Sequence, residues 1–194
     1  MVGAGLLPLL GCAGQIVRPS DIASPTLRTP ADVRGVVLLL EAAPPAMADE
    51  ARRLGAQWAD SREGRLSQGD GLASLCSAPG GVVMRLAQGR TYFASNAGDR
   101  NALIIYESAI VVGLPVAAIS ALAWPWYGET IIEGTLDAVR CGRNTEPTRL
   151  VASAHVRSEG RGLVRGGTIQ KAQEEAALRL VTRKLFALAA DDAR

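Results

Sequence analysis

Hydrophobic and polar positions alternate between two periods along this chain, and the switches between them mark the elements. Val33-Arg34-Gly35-Val36-Val37-Leu38-Leu39-Leu40-Glu41 is a near-continuous apolar run, which predicts a strand buried on both faces. Pro44-Pro45 ends it and opens a helix, because proline is tolerated in a first helical turn. Met47, Ala51, Leu54 and Trp58 then recur at helical spacing, with Asp49, Glu50, Arg52 and Arg53 on the other side. Residues 61–80 are polar and glycine-rich, with a short helix predicted around Leu72, Leu75 and Cys76. Gly81–Ala87 reads as a second strand, Gln88-Gly89 as a turn, and Arg90–Phe93 as a third strand.

Beyond residue 128 the strand period returns. Glu129–Val139 alternates imperfectly, whereas Leu150, Ala152, Ala154 and Val156 alternate cleanly with Val151, Ser153, His155 and Arg157. Residues 141–147 read as a hairpin loop between them, and Leu163-Val164 as a short continuation. The last element is a helix with Thr168 as N-cap and an apolar stripe of Ile169, Ala172, Ala176, Leu180, Leu185 and Leu188. The order strand, helix, strands, insert, strand pair, helix predicts an α+β fold. Its sheet is mostly antiparallel with helices on one face, plus an apolar helical insert over about 102–126. Residues 13–32, with Pro19, Pro25 and Pro30 and no period, read as an extended linker ahead of a single domain over 33–194.

The insert is uncharged from Ser108 to Trp126, close to the roughly 18–20 residues of a membrane span. Trp124, Trp126 and Tyr127 cluster at one end, as interfacial aromatics do. Three arrangements fit: a transmembrane helix, a hairpin broken at Gly113-Leu114-Pro115 that enters a membrane or a partner, and a buried core segment. Under the second, Tyr106, Leu114, Pro115, Trp124, Trp126 and Tyr127 are the expected contact residues. Glu107, among isoleucines and valines, is expected at the water-facing edge of the insert.

Composition narrows the function classes. At 194 residues the chain suits one domain with a tail, and a net charge of +2 gives no support for nucleic-acid binding. One histidine, His155, sits mid-strand with no nucleophile elbow nearby. Three dispersed cysteines offer no zinc spacing, so no catalytic and no metal-ligating residues are assigned. Gly160-Arg161-Gly162 and Arg165-Gly166-Gly167 form a basic, glycine-rich turn but lack a phosphate-loop spacing.

The apolar run Gly3–Leu10 ends in Leu9-Leu10-Gly11-Cys12, which resembles the lipobox of bacterial lipoproteins. The resemblance implies that residues 1–11 are a signal segment, here truncated and lacking a basic start. It implies a covalent lipid on Cys12, the sole cofactor expected. Ala13, rather than aspartate, follows the cysteine, which in that family leans towards the outer membrane, facing the periplasm. Cys76 and Cys141 then remain as an even pair, candidates for one disulfide in an oxidising compartment. The overall plan is loosely similar to that of TraT-type outer-membrane lipoproteins, which also carry a long apolar insert. The expected function is a non-enzymatic, lipid-anchored structural or accessory subunit. Its partners would be membrane lipid, envelope proteins or its own copies. The alternatives are a soluble ligand-binding or enzymatic α+β domain with a buried insert, and an oligomeric pore or ring component.

Overall fold

A computed structural model describes residues 16–19, 30, 32–58, 60–96, 125–142, 144–161 and 166–192. Strands β1 (Ile16–Pro19), β2 (Gly35–Leu39), β3 (Asp60–Glu63), β4 (Gly81–Ser95), β5 (Pro125–Arg140) and β6 (Asn144–Arg161) form one sheet in the order β1-β6-β5-β4-β2-β3. Helix α1 (Pro45–Trp58) links β2 to β3, a 3-10 turn (Leu72–Leu75) precedes β4, and α2 (Gly166–Asp192) follows β6.

The long strands are antiparallel. Cys141 N donates to Gly81 O at 2.9 Å and Thr135 Oγ1 to Ala87 O at 3.5 Å, so β5 runs down as β4 runs up. The short turn from β5 to β6 allows only an antiparallel pair, and β1 joins β6 antiparallel with Ile16 opposite Glu159. β2 lies parallel to both its neighbours, with Gly35 opposite Asp60 on one side and Gly81 on the other. A β2-α1-β3 crossover needs that direction, and the continuous apolar run of β2 belongs to a strand covered on both sides. The α+β class with a mostly antiparallel sheet is the observed architecture.

Two compact units divide the chain. The larger contains residues 21–92, 131–155 and 174–194. There, the inner face of α1 (Met47, Ala51, Leu54, Trp58) and that of α2 (Ala177, Val181, Leu185, Phe186) are buried, as are Ile132 and Leu136 of β5. Gly134 lies between these two in the strand. A Cβ there would come within 3.1 Å of Val181, 3.2 Å of Leu185 and 3.3 Å of Met47, so glycine lets both helices approach the sheet closely. Trp58 and Phe186 meet edge to face with ring centroids 5.2 Å apart. A second cluster uses strand residues of the opposite parity: Leu39, Val83, Val139 and Cys141 with Leu72, flanked by Val37, Leu66, Leu75 and Cys76.

The smaller unit contains residues 1–20, 93–130 and 156–173. Among its described residues, polar Thr130, Ser158 and Gln173 are buried alongside Trp126, Val156 and Ile169. Gln173 is fully buried; Thr130 Oγ1 donates to its Oε1 at 2.8 Å, and its Nε2 donates to Gly128 O at 2.6 Å and to Ser158 Oγ. Gly128 leaves room for Ile169, whose Cγ2 would lie 2.6 Å from an added Cβ.

Several boundaries differ from the sequence expectation. β4 is one unbroken strand; Gly89 marks close approach to Glu133, whose carbonyl oxygen would lie 3.2 Å from a Cβ, and not a turn. The loop after β5 is shorter than 141–147, because β6 resumes at Asn144. Thr168 lies inside α2, which starts at Gly166, so it is no N-cap. Ile16–Pro19, expected as linker, is an edge strand, a place with which its proline is compatible. The apolar insert falls outside the described residues except for its end at Pro125 and Trp126.

Candidate functional site

Within the larger unit, one end of the sheet gathers the features that bear on function. Cys76 and Cys141 are joined, with a Cα–Cα distance of 5.3 Å and a sequence separation of 65. Backbone bonds tie the same corner: Gly80 N donates to Cys141 O at 3.1 Å, and Arg34 N donates to Gly80 O at 2.9 Å. Gly80 (φ 83°) and Gly142 (φ 93°) take the left-handed conformations these two turns require. The disulfide thereby holds the segment around Leu72 and Leu75 over the cluster of Leu39, Val83 and Val139. With both sulfurs bonded, neither is a nucleophile or a metal ligand.

Two concavities flank the bond. One, about 240 Å³, is lined by Val37, Asp60, Arg62, Leu75, Ser77 and Cys141 among others, and there the Arg62 guanidinium donates to Ser77 Oγ. The other, about 340 Å³, is bordered by Asp32, Arg34, Pro79, Arg140, Cys141 and Gly142. In the smaller unit a third, about 490 Å³, is lined by Asn96, Trp126, Tyr127, Arg157, Glu159 and Gly160.

Paired charges lie elsewhere in the larger unit. The Asp137 carboxylate accepts from Arg149 Nε at 2.7 Å and Arg85 Nη2 at 2.6 Å. Hydrogen bonding from Arg149 is the largest influence on it; with Arg85 it outweighs burial and holds Asp137 below the usual aspartate range. Glu50 accepts from Arg183 Nε at 2.7 Å and from Arg53. Burial, the largest single influence, pushes Glu50 up, but the two arginines together bring it below the usual glutamate value. Both are structural ion pairs: each carboxylate is held by two guanidinium groups.

The expected site residues fare differently. Cys12, Tyr106, Leu114, Pro115 and Trp124 lie outside the described residues, as does Glu107. Trp126 and Tyr127 are successive in β5 and therefore point to opposite faces. The Tyr127 side chain is exposed, while its backbone N donates to Asn96 Oδ1 at 2.6 Å. Trp126 is 3% exposed, its ring filling the space above Gly160, where a Cβ would come within 2.5 Å. Its expected outward contact is thus corrected to an inward packing role. His155 is half-buried within β6.

No group of three or more His, Cys, Asp or Glu among the described residues is arranged to hold a metal ion. No helix among the described residues is long and apolar enough to cross a membrane.

No family model matches the chain, and no curated protein matches it in sequence. Among solved structures it is similar to a minor lipoprotein from Acinetobacter baumannii, at 10% identity and a TM-score of 0.36, over 86% of this chain and 92% of that one. It is also similar to the rare lipoprotein B from Shewanella oneidensis, at 12% identity and a TM-score of 0.32, over 82% of this chain and 90% of that one. Both neighbours are bacterial lipoproteins by name.

Proposed function

We propose that this chain is a non-enzymatic accessory subunit of the bacterial cell envelope, held at a membrane by lipid on Cys12. The observation that carries the reading is the Cys76–Cys141 bond. Disulfides persist in oxidising compartments and are rare where thiols are kept reduced, so the bond supports export from the cytoplasm. Leu9-Leu10-Gly11-Cys12 supplies an export and lipidation signal, and the outer membrane is the destination that Ala13 favours. The segment 102–126 adds an apolar contribution, either to bilayer binding or to a partner. One acyl chain holds a protein only marginally, so a second apolar contribution matters.

Replacing Cys12 by Ser and fractionating cells tests this. The expected result is transfer of the protein from the membrane fraction to the soluble fraction. Unchanged membrane recovery of Cys12→Ser would remove Cys12 as the anchor.

A further inference from the structure

We propose that the open side of β4 over Leu86–Tyr92, within the larger unit, is a docking edge for an extended strand of a partner protein that carries a carboxylate opposite Arg90. β2 runs beside β4 only as far as the pair Leu39 and Arg85, then leaves through the turn at Leu40–Ala43 into α1. From Leu86 to Tyr92, β4 therefore has one strand neighbour among the described residues, β5. The phase of the backbone shows which groups this leaves over. Gly81 O accepts from Cys141 N, at the end of β5, and Gly80 O accepts from Arg34 N, ahead of β2. Odd-numbered residues of β4 thus turn their N–H and C=O groups to β5, and even-numbered ones away from it. Ala87 O accepts from Thr135 Oγ1, so the phase is kept. Leu86, Gln88, Arg90 and Tyr92 accordingly present their backbone groups on the open side. The geometry of this edge is independent of lipid at Cys12, so failure of that anchor leaves it untouched.

Other edges of this sheet are blunted. β3 is four residues long, charged and wholly exposed, and β1 is as short and ends in proline. β6 ahead of its pairing with β1 holds Pro147, and its Ser153 O is taken by Lys184 Nζ at 3.0 Å. Such devices keep an edge from pairing with another chain. Leu86–Tyr92 has no proline and a single charge. Gly89, Arg90, Thr91 and Tyr92 are exposed in succession, Tyr92 at 59%. Gln88 Nε2 donates to Thr91 Oγ1 at 2.7 Å, although alternation sets these side chains on opposite faces. With β5 along one side, that bond passes round the other, where no described strand blocks it. A strand that pairs here displaces one exposed side-chain bond and gains main-chain bonds, the source of affinity in strand addition. Arg90 decides the occupant. It shares a face with Tyr92, so a strand with a carboxylate opposite Arg90 and an apolar side chain opposite Tyr92 complements the edge. Two copies paired antiparallel about Gly89 or Arg90 would set their Arg90 side chains diagonal or opposite, a like-charge contact.

The test uses the full chain with its disulfide intact, and amide hydrogen exchange followed by NMR. In the protein alone, the Gln88 and Arg90 amides should exchange about tenfold faster, or more, than those of Gly89 and Thr91, which are bonded to β5. The probe is a capped heptapeptide of alternating valine and threonine with glutamate at its centre. Its controls are the same peptide N-methylated at alternate residues and one with lysine at the centre. The glutamate peptide should slow exchange at Gln88 and Arg90 saturably and leave Gly89 and Thr91 unchanged. Arg90→Glu should weaken the glutamate peptide about fivefold and favour the lysine peptide instead. Arg90→Pro removes an edge donor while the bonds of odd-numbered residues to β5 persist, and should abolish binding. Should Arg90→Pro fail to fold, Arg90→Glu and the N-methylated peptide still decide. Protection of Gln88 and Arg90 in the protein alone would overturn the proposal. So would protection that grows with protein concentration, which would make the occupant a second copy. An absent response to the glutamate peptide, or an equal response to its N-methylated form, would do the same.

Discussion

The two units of this protein use the same helix in different ways. In the larger unit α2 presents Val181, Leu185 and Phe186, and the sheet answers with Gly134 between Ile132 and Leu136. In the smaller unit α2 presents Ile169 and Gln173, and the sheet answers with Gly128, Thr130 and Ser158. A glycine in β5 admits the helix in both places. The surroundings of that contact differ: apolar burial and a covalent bond in one unit, a saturated amide in the other. Apolar burial is non-directional and tolerates small shifts, whereas a buried amide is satisfied in one geometry only. Among the described residues, the larger unit relies on apolar burial and the disulfide, and the smaller one on the exact placement of a buried amide.

Four changes probe this contrast. Phe186→Ala removes the ring that meets Trp58 and should cost about 3–5 kcal/mol, read as a lowered urea midpoint. Replacing both Cys76 and Cys141 by alanine should cost about 2–4 kcal/mol, because the unfolded chain regains a long loop. Dithiothreitol should lower the wild-type midpoint by a similar amount and leave the double variant untouched. Gln173→Leu strands Thr130, Ser158 and the Gly128 carbonyl, at about 1–3 kcal/mol. Hydrogen exchange should then quicken at 128–130 and 156–160 before it changes at 132–139; uniform quickening would contradict the division into two units.

The smallest effect is electrostatic. Glu50→Gln should cost about 1–2 kcal/mol, since solvent reaches both arginines that hold it. Glu50 and Asp137 are both depressed in the fold, so their contribution is complete above the unfolded carboxylate range, about pH 4. It is lost as pH falls through their folded values. Urea midpoints measured over a pH series should drop on the acid side, and drop less steeply in Glu50→Gln.

Much of the fold is legible in the sequence because burial leaves a period behind. The apolar run of β2, the stripe Met47-Ala51-Leu54-Trp58 and the alternation through Ala154 and Val156 each announce an element that is present. The hidden elements carry no period. β3 is short, charged and wholly exposed, as a protected edge strand should be, and it reads as loop. β1 is four residues long and ends in proline, a pattern that reads as linker. Gly89 reads as a turn because glycine marks turns and close approaches alike. The site is less legible. Trp126 and Tyr127 look equivalent as aromatics, yet strand alternation sends one inward and one outward.

The proposed residence in the envelope rests on covalent chemistry at two places, and intact mass spectrometry of protein extracted from native membranes reads both. The expected species begins at Cys12, carries the added mass of acyl groups, and is lighter by the hydrogens lost in joining Cys76 to Cys141. An unprocessed, unacylated chain with free thiols, recovered from the cytosol, would contradict it.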